Sequence, residues 1–142
     1  LSHVMRYTLQ DNESHSVTLR EEMDFVQSYI YLLQVRYEDN LRFDIHISPE
    51  LFSRQLPPMA LQLLIENAVK HNEISNRRPL TVTVTAHDEV IEVSNPLQPK
   101  RGGSAGMGIG LANLAKRYQL LYKKDVTVKE EDYRFTVILP LI

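Results

Sequence analysis

Apolar positions along this chain recur with two different periods, and the changes of period divide it into helices and strands. Leu19, Met23, Val26, Ile30 and Leu33 follow helical spacing. Thr18 and Glu21 ahead of them form a capping box, whose hydroxyl and carboxylate satisfy orphan backbone donors, so a helix is predicted over 18–37. Residues 41–47, Leu-Arg-Phe-Asp-Ile-His-Ile, alternate with period two and predict a strand buried on one face, with His46 pointing outward. Pro57 and Pro58 then punctuate the chain before a second helical pattern over 59–72. Strands are expected at 80–86 and 90–93, joined into a hairpin by a turn at 87–89. Residues 94–107 keep no period and are rich in proline and glycine, so they are expected to form a long mobile loop. A third helix over 109–122 follows, and strands at 125–129 and 133–141 close a second hairpin around 130–132. Residues 1–10 read as the last turns of a helix that begins earlier, and 11–16 as a polar linker, which leaves 17–142 as the folded domain. Five strands and three helices in this order imply an α+β two-layer sandwich, a mixed sheet with the helices on one face.

Composition narrows the class without deciding it. At 142 residues, with 43% hydrophobic and 24% charged residues, the chain is sized and balanced for one globular domain. A formal net charge of -2 offers no general attraction for nucleic acid, and no nucleic-acid partner is expected. The absence of cysteine excludes disulfides, thiolate metal sites and a cysteine nucleophile within the chain. No apolar run approaches the length of a spanning helix, and the first residues do not read as a signal peptide. With no initiator methionine, the sequence reads as part of something longer.

Two stretches carry candidate chemistry. On the second predicted helix, Leu61, Leu64, Ile65 and Ala68 share one side, Glu66 and Lys70 lie roughly opposite, and Asn67 and His71 share a flank. The bland alternative makes Glu66 and Lys70 a solvated ion pair worth about 0.3 kcal/mol. All five glycines, Gly102, Gly103, Gly106, Gly108 and Gly110, fall within one short window. A flexible surface loop would explain them, but Gly106, Gly108 and Gly110 run directly into the third helix. Bare backbone amides and a helix N-terminus would then sit together, an arrangement suited to a phosphate. The window is neither a dinucleotide-binding fingerprint, since Leu111 occupies the third glycine position, nor a P-loop, which lacks its lysine. There is no metal-ligand spacing among the histidines and no G-x-S-x-G elbow.

With Glu66-Asn-Ala-Val-Lys-His71, the loop, and Gly106-Met-Gly-Ile-Gly-Leu111 in this order, the chain resembles the catalytic and ATP-binding domain of sensor histidine kinases, a nucleotide fold shared with gyrase and heat-shock chaperones. The likeness is greatest to the LytS type. It runs through Leu61-Gln-Leu-Leu-Ile-Glu-Asn-Ala-Val-Lys-His71 and Gly108-Ile-Gly-Leu-Ala-Asn-Leu-Ala-Lys-Arg-Tyr118, and through Leu19-Arg-Glu-Glu22 and Arg6-Tyr-Thr-Leu9. The resemblance implies that Asn67 coordinates Mg²⁺ on the ATP phosphates, a role that suits a hard cation seeking oxygen ligands. It implies that Glu66 polarises the attacking group and that Lys70 and His71 lie near the phosphates. It also implies an ATP lid, with Gly106, Gly108, Gly110 and Leu111 in its phosphate-facing box and Lys100 and Arg101 as further phosphate contacts. The implied partners are the protein's own dimerisation domain, which carries the acceptor histidine in a homodimer, and the receiver domain of a response regulator. The implied setting is the cytoplasmic side of an inner-membrane sensor, with residues 1–16 as the end of the dimerisation helix.

Two departures qualify the resemblance. After the strand ending at Val93, the family places an aspartate that accepts from the adenine amine, then spaced glycines. Here Asn95 takes the aspartate position, and Leu97 and Pro99 those of the glycines. An amide oxygen still accepts that bond without charge assistance, a loss on the order of 1 kcal/mol. None of the five histidines stands in the family's acceptor context, so the acceptor is expected before residue 1. The alternative reading is a degenerate nucleotide-fold domain that serves as a non-catalytic regulatory or dimerisation module.

Overall fold

The computed structural model describes residues 16–100 and 108–142. The first helix, α1 (Leu19–Tyr37), starts where the capping box places it: Thr18 accepts from the Glu21 amide, and Glu21 accepts from the Thr18 amide in return. Its buried stripe is Leu19, Met23, Val26, Ile30 and Leu33, joined by Glu22. The second helix, α2 (Ala60–His71), and the third, α3 (Ile109–Tyr122), also match their periodicity.

Two-residue strands β1 (Val17–Thr18) and β3 (Gln55–Leu56), too short to show any period, pair antiparallel beside the start of α1. The main sheet has five strands: β2 (Leu41–Ile47), β4 (Leu80–His87), β5 (Val90–Pro96), β6 (Thr127–Glu131) and β7 (Arg134–Pro140). Their spatial order is β2-β4-β5-β7-β6, with only β2 and β4 parallel, so the sheet is mixed as expected. Register aligns the apolar positions of neighbouring strands. Ile45 lies opposite Val84, Val84 opposite Val93, and Val93 opposite Val137, so one face buries a continuous apolar band under the helices. The other face carries Thr81, Thr83, Thr85, Glu92 and Thr136 at the alternate positions.

Both hairpins turn over two residues, with Asp88 and Glu89 in one and Asp132 and Tyr133 in the other, all at positive φ. That hand of turn matches strand twist, even without glycine. The second turn therefore falls at 132–133, and β6 lies two residues later than predicted. A larger correction concerns the expected loop. Ser94, Asn95 and Pro96 continue β5, opposite Thr136, Phe135 and Arg134. Residues 97–100 are then tied to the end of α2. The Asn72 side chain accepts from the Gln98 amide at 2.8 Å and donates to the Ala68 carbonyl at 2.7 Å, while the Glu73 amide donates to the Gln98 carbonyl at 2.6 Å. The expected mobile loop thus does not begin at Ser94. The helix remnant expected at 1–10 lies outside the described residues.

Candidate functional site

The site is built on α2, whose start is unusual. Pro57 and Pro58 precede it, and Met59 at its N-cap adopts φ 68 with no side-chain capping bond. The Ala60 amide donates to the Pro57 carbonyl, and the amides of Met59, Leu61 and Gln62 are bonded from another helix. Glu22 of α1, only 3% exposed, accepts from Met59 N–H at 3.0 Å through Oε1, and from Leu61 N–H at 2.9 Å and Gln62 N–H at 3.4 Å through Oε2. Burial pushes the Glu22 carboxyl above the usual carboxylate range, against the opposing pull of those three amides.

Further along α2, Leu61, Leu64, Ile65 and Ala68 face the core, leaving Asn67 and His71 half-buried and Glu66 and Lys70 exposed. No ion pair joins Glu66 to Lys70, both of which are exposed. Glu66, Asn67, Lys70 and His71 line one side of an open groove of about 240 Å³, and Gly108, Ile109, Gly110 and Leu111 line the other. Tyr29 of α1 lies in the field of Glu66. Its hydroxyl is held above its ordinary pKa, first by burial and then by that negative charge.

The two described glycines differ. Gly108 is the N-cap of α3, with no capping side chain, and a Cβ there would lie 3.8 Å from His71 Nε2 and 3.9 Å from Asn67 Oδ1. A Cβ on Gly110 would instead come within 2.9 Å of Leu63 Cδ1, so Gly110 lets α3 pack closely on α2.

Asn67 and His71 also border a second, small pocket of about 20 Å³, with Ala68, Asn72, Leu97, Pro99 and Phe135. Leu97, Pro99 and Phe135 were not singled out as lining residues; their role depends on the β5–β7 register, which local periodicity does not reveal. Asn95 is 1% exposed, opposite Phe135, and donates to the Pro96 carbonyl at 2.7 Å; it lines neither pocket. Lys100 reaches the site through its backbone, donating to the His71 carbonyl at 3.3 Å. Arg101 and Gly106 lie outside the described residues.

For a nucleotide with its cation, the donor set fits. An uncapped helix N-terminus faces a small space bordered by an amide oxygen and an imidazole, with Lys70 at the rim. No group of three or more His, Asp or Glu side chains is placed to hold a metal ion among the described residues. A magnesium ion held mainly by phosphate and water needs only one or two protein oxygens.

A family model for histidine kinases matches residues 1–41. The chain is 35% identical over 85 residues to the sensor protein kinase HptS of Staphylococcus aureus, a match covering 60% of this chain and 16% of that protein. Both matches are to histidine kinases. Among solved structures, the cytoplasmic segment of histidine kinase QseC superposes with a TM-score of 0.61 at 17% identity, over 89% of this chain and 76% of that one. The catalytic domain of histidine kinase ThkA gives 0.57 at 14% identity, over 88% and 94%. These matches show a shared fold: the five-stranded sheet and its three helices are those of a histidine kinase catalytic domain. The chain spans about a sixth of the length of HptS. Among the described residues, no helix is long and apolar enough to cross a membrane.

Proposed function

We propose that this domain binds Mg·ATP in the groove between α2 and the N-terminus of α3, and that in the whole protein it presents the γ-phosphate to a histidine outside this chain. One observation carries the reading: Asn67 and His71 face the uncapped α3 N-terminus across Gly108, where a side chain would fill the space. The first-turn amides of α3 supply donors for phosphate oxygens, and Lys70 adds positive charge at the rim. Asn67 Oδ1 would hold the cation, which when bound offsets phosphate charge. Glu66, exposed on the same groove, is placed to accept a proton or orient the attacking imidazole. Positioning and electrostatics would supply most of the acceleration.

Transfer onward to a response regulator, a homodimer built by upstream helices, the LytS subtype and a membrane-anchored parent protein belong to the same proposal. One structure of ThkA is a complex with the response regulator TrrA, and its fold likeness here is a TM-score of 0.51. Calorimetric titration tests the binding step: Asn67→Ala should abolish Mg²⁺-dependent ATP binding, and unchanged binding would refute the assignment of α2. A second reading, a non-catalytic nucleotide-fold module, is favoured by Asn95, Leu97 and Pro99 in place of the family's aspartate and glycines. A longer protein that includes the upstream helices, incubated with labelled ATP, separates the two. Acid-labile phosphohistidine supports the kinase, and tight ATP binding without phosphorylation supports the module.

A further inference from the structure

Glu22 touches no part of the groove, yet both of its oxygens are committed to the helix that forms one wall of it. A carboxylate this deeply buried is costly unless its lone pairs are used. Here they accept from Met59, Leu61 and Gln62, the first-turn donors of α2. Locally, only the Pro57 carbonyl takes a first-turn donor, the Ala60 amide at 3.2 Å, and Met59 at the N-cap sits in the left-handed region with no side-chain bond. Glu22 itself is fixed within the first turn of α1, one residue after the Glu21 that closes the Thr18 capping box. A side chain of α1 and the backbone amides of α2 are therefore joined at one end of both helices by a buried, hydrogen-bonded clamp.

We infer that Glu22 is a positioning residue for the nucleotide groove: by gripping the N-terminus of α2 from α1, it sets the placement of the turns that present Glu66, Asn67, Lys70 and His71. Leu61 and Asn67 are six residues apart on one helix, about 9 Å along its axis, so α2 transmits a shift at its start as a shift at the groove. The clamp also links α1, which falls within the 1–41 span matched by the family model, to the wall of the groove. Displacement of α1 thereby has a direct route to the site.

The nucleotide part of this inference rests on the function proposed above; the mechanical part does not. The test compares Glu22→Ala, Glu22→Gln and Leu33→Ala in the full chain, at a temperature where circular dichroism shows each folded. Leu33 is a buried α1 residue remote from the clamp in sequence and serves as the control for general destabilisation. Hydrogen exchange should show Glu22→Ala losing protection throughout 60–71, with Mg·ATP affinity down about tenfold or more, as expected for a lost buried cap. Glu22→Gln, which keeps one carbonyl acceptor, should recover part of both. Leu33→Ala should keep affinity within about twofold, since it is distant from the clamp. If Glu22→Ala behaves like Leu33→Ala in both readouts, the inference is overturned. If Glu22→Ala does not fold, the comparison of Glu22→Gln with Leu33→Ala decides by the same two readouts. Failure of the wild-type chain to bind nucleotide would overturn the groove's assignment, while the exchange comparison would still decide whether Glu22 holds α2.

Discussion

Gly108 and Gly110 are two residues apart, and the structure gives them different work that a pair of alanine substitutions separates. A Cβ on Gly110 would stand 2.9 Å from Leu63 Cδ1, 3.7 Å from Cδ2 and 3.8 Å from Cγ. Carbon pairs are most stable at about 3.5–4.0 Å, so the first contact is short by about 0.6 Å or more. Overpacking in a rigid core costs about 1–3 kcal/mol, and the low end applies here, because the crowding atom is the tip of the half-buried Leu63 side chain. Alanine in place of glycine in a helix returns about 1 kcal/mol, leaving Gly110→Ala within about 1 kcal/mol of neutral. All three crowding atoms are removed by Leu63→Ala, so the double variant should be more stable than the sum of the singles predicts, by about 1 kcal/mol. Gly108→Ala meets only ordinary contacts, at 3.8 and 3.9 Å, and should change stability by less than about 1 kcal/mol. Its methyl group, however, would occupy the space assigned to phosphate, and Mg·ATP affinity should fall about tenfold or more. Urea unfolding and calorimetric titration of the four variants measure both quantities. Strict additivity of Gly110→Ala and Leu63→Ala would refute the close packing of α3 on α2, and wild-type affinity in Gly108→Ala would refute phosphate binding at that end of the groove.

Glu22 also makes a pH prediction. Because burial holds its carboxyl above the usual range, the folded protein binds that proton more tightly than the unfolded chain does. Its stabilising contribution is full below the ordinary carboxylate pKa and is lost as pH rises through the raised one. Urea midpoints measured across this window should therefore fall more steeply in wild type than in Glu22→Gln. Asn72→Ala removes two buried hydrogen bonds that tie 97–100 to α2 and should cost about 2 kcal/mol in the same assay. Tyr118→Phe removes a hydroxyl that donates to the Pro140 carbonyl at 2.9 Å from a ring buried within the core. The loss should be about 1 kcal/mol by thermal or urea unfolding.

What could be read in advance follows the distance along the chain over which each relation acts. Thr18 and Glu21 are three apart, and Asn67 and His71 four apart; both pairs are fixed by helical geometry alone, so the cap and one wall of the groove were visible in the sequence. The continuation of β5 through Pro96 was not visible. A proline-bearing stretch reads as a breaker until Phe135 and Arg134 are known to lie beside Asn95 and Pro96. Gly108 and Gly110 appear equivalent as sequence, and only the positions of His71, Asn67 and Leu63 separate phosphate access from helix packing. Glu22 is the extreme case. It ends the Leu19–Glu22 stretch that shares in the family likeness, but beside Glu21 its chemistry reads as one more acid in a first helical turn, where an exposed carboxylate would interact favourably with the helix dipole of α1. Its donors are on α2, the Leu61 amide being 39 residues away. A residue that acts on the site through a helix N-terminus leaves no spacing of its own in the sequence, because backbone amides belong to every residue type except proline. Only the burial of a charge with its acceptors filled identifies it.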